Sequence, residues 1–118
     1  MASSSKRKGD AAEREIAEIL TGLLGYDIEV RRKLGAGRQD DTGDLDGIPD
    51  TVIQVAWWPK RGVLRAVREK PDGAERQRVN DRATFAASAI RLVGGVWRIV
   101  LTPEQYATYV RESLRDDA

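Results

Sequence analysis

Thr51-Val52-Ile53-Gln54-Val55-Ala56-Trp57-Trp58 is the stretch on which the fold turns. It is a run of β-branched and aromatic residues bounded by the turn-forming Ile48-Pro49-Asp50 and by Pro59, which is the pattern of a buried strand. Side chains alternate along a strand, so Asp50, Val52, Gln54, Ala56 and Trp58 share one face and Ile53, Val55 and Trp57 take the other. Gln54 is then a polar residue inside an apolar run, where a sheet presents a carbonyl oxygen. The plainer account is an amide on a partly solvated face.

Working outward, residues 44–47 read as a strand before it. Residues 33–43, KLGAGRQDDTG, read as a glycine-rich charged loop. Tyr26, Ile28 and Val30 alternate with Asp27, Glu29 and Arg31 and predict a half-exposed strand. Ile16, Ile19, Leu20, Leu23 and Leu24 form one stripe of a helix that starts at Gly9 or Asp10 and ends at Gly25. Residues 1–8, MASSSKRK, have nothing to bury and read as a flexible basic tail, leaving 9–118 as one domain.

On the other side, a helix is expected from residue 63 to about 70, a break at Pro71-Asp72-Gly73, and a resumption to about 81. Residues 84–93 predict a strand, and Gly94-Gly95 a hairpin into Val96-Trp97-Arg98-Ile99-Val100-Leu101. Thr102-Pro103-Glu104-Gln105 is a capping box opening a last helix with Tyr106, Tyr109, Val110 and Leu114. The order helix, three strands, helix, two strands, helix predicts an α/β domain with a mixed sheet flanked by helices.

Composition narrows the chemistry. The 118 residues contain no cysteine and no histidine, which excludes disulfides, Cys/His zinc sites, Ser-His-Asp triads and cysteine nucleophiles. Catalysis here rests on carboxylates, amides, Lys, Arg, Tyr, Ser/Thr or a hard metal held by oxygen. The 20 basic and 19 acidic residues nearly cancel, but they are segregated. Asp40, Asp41, Asp44, Asp46 and Asp50 lie between Arg31, Arg32, Lys33 and Arg38 on one side and Lys60, Arg61, Arg65, Arg68 and Lys70 on the other. Carboxylates flanked by cations suit a site that holds a metal and meets a polyanion, although a solvated charged surface has the same composition. No apolar run reaches the length of a membrane span or resembles a signal peptide, so a cytoplasmic protein is expected.

Glu13 lies on the apolar side of the first helix, three residues before Ile16. A carboxylate there needs a partner, unless it is simply a first-turn glutamate at the helix end. Lys8-Gly9-x-x-x-Glu13-Arg14-Glu15 followed by Gly25-Tyr26 resembles the opening of Holliday-junction resolvases of the PD-(D/E)XK nuclease superfamily. Arg31-Arg32 with Gly35-Ala36-Gly37 resembles that family's Arg and glycine loop, and Gly43-Asp44-Leu45 its Asp-Leu. Val52-Ile53-Gln54-Val55-Ala56 resembles its Ile-Glu-Val-Lys strand, and Gly94-Gly95-Val96-Trp97-Arg98-Ile99 its late Gly-Gly and Trp-Arg strand. The resemblance covers residues 8 to 101.

It implies a PD-(D/E)XK-like mixed sheet and a homodimeric phage or bacterial recombination protein that hydrolyses phosphodiesters of branched DNA with Mg²⁺, Mn²⁺ being a substitute. Asp44, Gln54, the Val55 carbonyl and Glu13, directly or through water, become the metal ligands. Arg32, on the parity of Ile28 and Val30, faces the scissile phosphate, with Arg31 as the alternative. Lys8, Arg14, Arg31, Arg32, Lys33, Arg38 and Lys60 become candidates for DNA contact.

Two positions depart from the pattern. Gln54 replaces the family's acidic residue, keeping one oxygen and losing a charge, and Ala56 stands where the family has its catalytic lysine. Three accounts of Ala56 stay open: a lysine exchanged to trap an inactive form, decay to a DNA-binding module that no longer cuts, or transfer of the lysine's role, for example to Lys60. Trp57 and Trp58 suit core or interface positions as well as base stacking, and Trp97 reads as core.

Overall fold

β3, Thr51–Trp57, is the centre of the molecule, and five of its seven residues are buried. The computed structural model describes residues 4–33, 44–57 and 62–116. β3 pairs in parallel with β4, Phe85–Arg91, from Thr51↔Phe85 to Trp57↔Arg91. Parallel neighbours need a crossover, and α2, Val63–Asp81, supplies it. On one side β2, Leu45–Asp46, runs antiparallel to β3 and to β1, Arg31–Arg32. On the other, β5, Trp97–Val100, returns antiparallel to β4 through the Gly94-Gly95 turn. The result is a five-stranded mixed sheet in the order β1-β2-β3-β4-β5, with α1, Ser4–Leu24, and α3, Pro103–Asp116, completing an α/β architecture.

The sheet is covered differently on its two faces. Ile53, Val55, Ala87 and Ala89 join Ala12, Ile16 and Ala17 of α1, with Val30 and Leu45, in the larger core. Ala56 and Ile90 on the other face pack on Ala66 of α2. Among the described residues no helix is long and apolar enough to cross a membrane.

Three expectations are corrected. α1 begins at Ser4, so residues 4–8 belong to the helix rather than to a separate tail; Lys6, Arg7 and Lys8 are good helix formers and carry it through Gly9. Residues 26–30 are not a strand. Gly25, Tyr26 and Asp27 all take positive φ, at 61°, 52° and 61°, and this left-handed turn consumes the start of the predicted run. Val30 then bonds to α1 instead of to a strand, its N–H donating to Thr21 Oγ1 at 2.9 Å. Finally, α2 runs unbroken through Pro71. An interior proline costs about 3 kcal/mol, and the burial of Ala66, Pro71 and Ala74 on one face of the helix offsets it.

The capping box at the start of α3 is made by halves. The Gln105 N–H donates to Thr102 Oγ1 at 3.0 Å, as expected. The Gln105 side chain does not return to the cap. Its Oε1 accepts from the Ala86 N–H of β4 at 3.0 Å and its Nε2 donates to Glu75 of α2 at 2.9 Å, tying three elements together.

Candidate functional site

The open edge of the sheet brings α1, β1 and the start of β2 to one corner. Arg32, the last residue of β1, lies between two carboxylates one helical turn apart on α1. Its Nε donates to Glu13 Oε1 at 3.1 Å and its Nη2 pairs with Asp10 Oδ1 at 2.9 Å. All three side chains are partly buried, between 22% and 24% exposed.

Asp44 stands at the mouth of β2 and is fixed by its own backbone. Its N–H donates to the Ile53 carbonyl at 2.8 Å and its carbonyl accepts from the Lys33 N–H at 2.9 Å. Its carboxylate Oδ2 accepts from the Val55 N–H at 2.7 Å. In an extended strand a residue's N–H and C=O point to the same edge, so the Val55 carbonyl also faces the side on which Asp44 lies.

Electrostatics couple the two halves of this corner. Burial raises the Glu13 carboxyl above its usual range, the Arg32 hydrogen bond opposes that, and the negative charges of Asp44 and Asp10 add to the rise. Arg32 thus joins Glu13 to Asp10, Asp44 is bonded to Val55, and Asp44 lies close enough to Glu13 for its charge to act there. Glu13 is not a free first-turn glutamate.

Gln54 and Ala56 lie on the other face, the α2 side. Ala56 is 5% exposed, packed with Ala66 and Ile90. Gln54 is 7% exposed and lines a cleft with residues of α2, among them Lys70 and Gln77. Among the described residues, no three acidic side chains stand close enough together to share a metal ion.

The candidate DNA contacts divide. Arg14 and Arg31, both exposed, line one groove with Arg32 over an apolar floor of Ala17 and Val30, about 330 Å³ in volume. Lys33 faces a separate hollow under the turn from β2 to β3, beside Asp46 and Asp50. Lys8 is in α1. Arg38, Trp58 and Lys60 lie outside the described residues. Trp57 and Trp97 are partly buried against the larger core.

Sequence reasoning missed Glu15 as an anchor. Its carboxylate accepts from Trp97 Nε1 at 2.8 Å and from Arg91 Nε at 3.3 Å, joining α1 to the far strands. The Trp97 hydrogen bond and the Arg91 charge hold its carboxyl below the usual range. Its helical position, two residues from Glu13 and so on another flank, was the available signal. Lys70 and Gln77 were also missed; their i, i+7 spacing on α2 places them on one flank of that helix.

Comparison with known proteins finds no matching family profile, no matching curated protein and no matching solved structure.

Proposed function

We propose that this chain is a PD-(D/E)XK-type, metal-dependent endonuclease that cuts branched DNA at four-way junctions, acting as a homodimer so that two sites make two symmetric cuts. The observation that carries the reading is the corner itself. A carboxyl raised by burial and by Asp44, an arginine between two carboxylates, and an aspartate bonded to the strand next to Gln54 meet at one open sheet edge. The element order, with the parallel β3–α2–β4 crossover, supports the fold assignment.

The donors at the corner are hard oxygens, which fit Mg²⁺ or Mn²⁺. Asp44, the Val55 carbonyl and Glu13 would hold the ion, and Gln54, buried on the α2 side of the sheet, lies outside that set. When bound, the ion polarises the phosphate and lowers the pKa of an attacking water. The chain's own residues do the rest. Arg14 and Arg31 bind backbone phosphate along the groove, and Arg32 is held ready beside it by Asp10 and Glu13. Ala56 offers no amine and its side chain packs toward α2, so the pattern's lysine has no counterpart facing this corner.

A second reading, a branched-DNA-binding module that does not cut, is favoured by one feature. Ala56 is packed against Ala66, where a lysine has little room. Labelled four-way junction and matched duplex, with and without Mg²⁺, separate the two readings when this chain is compared with Ala56→Lys. Cutting of the junction by the lysine form, or by both forms, supports the nuclease. Tight junction binding without cutting by either form, with a normal melt for both, supports the silent module.

A further inference from the structure

The α2 face of β3 carries an assembly that the corner at Asp44 does not use. Gln54 and Gln77, only 7% and 4% exposed, share a cleft of about 360 Å³ with Lys70, Arg76 and Asn80, at the small end of ligand-sized clefts. Helix geometry puts them there. Ala66 packs down on the sheet, and the next turns of α2 bring Lys70, Gly73 and Gln77 over Gln54. Gly73 has no side chain with which to fill the space.

The Oε1 of Gln77 is buried and has no hydrogen-bond partner among the described residues. An orphaned buried amide oxygen is destabilising, and such a group in a folded chain calls for a donor from outside the protein. The charge around it is cationic. Glu69, the acidic residue of the lining, is paired with Arg65 at 3.0 Å on its own helix, while Lys70 and Arg76 border the cleft.

Carboxamides offer a donor and an acceptor side by side, the complement of a nucleobase edge, and lysine with arginine is the complement of a phosphate. We propose that the cleft between α2 and β3 is a nucleotide-binding site, in which Gln77 and Asn80 read the edge of an unpaired base and Lys70 and Arg76 hold its phosphate. A paired base has its Watson–Crick edge occupied, so the cleft selects a base that is unpaired or flipped out of the stack. That the nucleotide belongs to a DNA strand rests on the function proposed above; the capacity of the cleft for a nucleotide does not.

The test is a titration of the ¹⁵N-labelled full chain with deoxyadenosine monophosphate, deoxyribose 5-phosphate and inorganic phosphate, following the side-chain amide signals of Gln54, Gln77 and Asn80. The nucleotide should move those signals and bind about tenfold tighter than the sugar phosphate, the discrimination of one good bidentate base contact. Gln77→Leu should lose that advantage and leave sugar-phosphate binding unchanged, and Lys70→Ala should weaken both. Because Gln77→Leu removes an unpaired buried oxygen, it should melt no lower than the parent chain, which separates lost binding from lost folding. Equal affinity for nucleotide and sugar phosphate, unchanged affinity in Gln77→Leu, or unmoved amide signals would each overturn the site. A chain that cuts junctions and fails this titration loses only this cleft. One that binds the nucleotide here and never cuts loses only the nuclease reading.

Discussion

The two faces of the one sheet are held by different chemistry. On the α1 side the polar contacts around the larger apolar core are ionic: Arg32 with Asp10 and Glu13 at the open edge, and Arg91 with Glu15 at the far strands. On the α2 side they are carboxamides among small residues. Gln105 bridges Ala86 and Glu75, Gln54 and Gln77 line the cleft, and Ala56 meets Ala66. Ion pairs on that side run within α2 itself, Arg78 with Glu75 at 2.8 Å and Arg65 with Glu69 at 3.0 Å. The difference locates sensitivity. Charge, salt and pH act on the polar contacts of the α1 face, while hydrogen-bond satisfaction governs those of the α2 face.

The sharpest break of this comparison is at Asp44. Asp44→Asn keeps an oxygen for the Val55 N–H, so the melting temperature should hardly move. If the corner binds the metal, Mg²⁺-dependent junction cutting should fall by roughly 100-fold or more, beyond the loss typical of outer-shell partners. Cleavage assays beside a thermal melt check both halves. A variant that cuts normally removes Asp44 from the site.

Next in size is Gln105→Ala, which probes the neutral face. It strands the buried Ala86 N–H and should cost about 1–3 kcal/mol by denaturant titration. Arg32→Ala is the matching change on the ionic face. It leaves Asp10 and Glu13 without their shared cation and should cost about 1–2 kcal/mol at neutral pH, shrinking as acid protonates Glu13, whose carboxyl burial raises. Arg32→Lys should recover only part, because an ammonium cannot fork between two carboxylates. Equal losses at neutral and acidic pH would show that Arg32 acts by packing and not by charge.

What the sequence made legible follows the same division. Strand parity grouped Gln54 with Ala56 and set Ile53, Val55 and Trp57 against them, and the structure has that grouping. Parity within one strand is silent on which helix covers which face, so Gln54 was expected beside Glu13 and lies beside Gln77 instead. Glu13 and Arg32 were singled out by motif order and the structure bonds them to each other, while Asp44 bonds to Val55. Residues 26–30 misled because alternation persists through a left-handed turn that costs Tyr26 and Asp27 their strand geometry. Pro71 misled because its local penalty is outweighed by burial that no local pattern records.

The smallest effect is the finest probe of the ionic face. The Glu15 carboxyl is held below its ordinary value by Trp97 and Arg91, so the folded state favours the charged form more than the unfolded chain does. The stabilisation is therefore present above the unfolded carboxyl's pKa, near 4.5, and drains away as pH falls through the lower folded value. Its side chain is 40% exposed, so solvent screening limits the gain to about 0.5 kcal/mol. Glu15→Gln keeps an oxygen for the Trp97 indole and loses the charge facing Arg91. Its stability should fall below the parent's at pH 7 and converge on it toward pH 3 in parallel denaturant titrations. Equal stability of variant and parent at pH 7 would place the bond to Trp97, not the ion pair, as the join between α1 and the far strands.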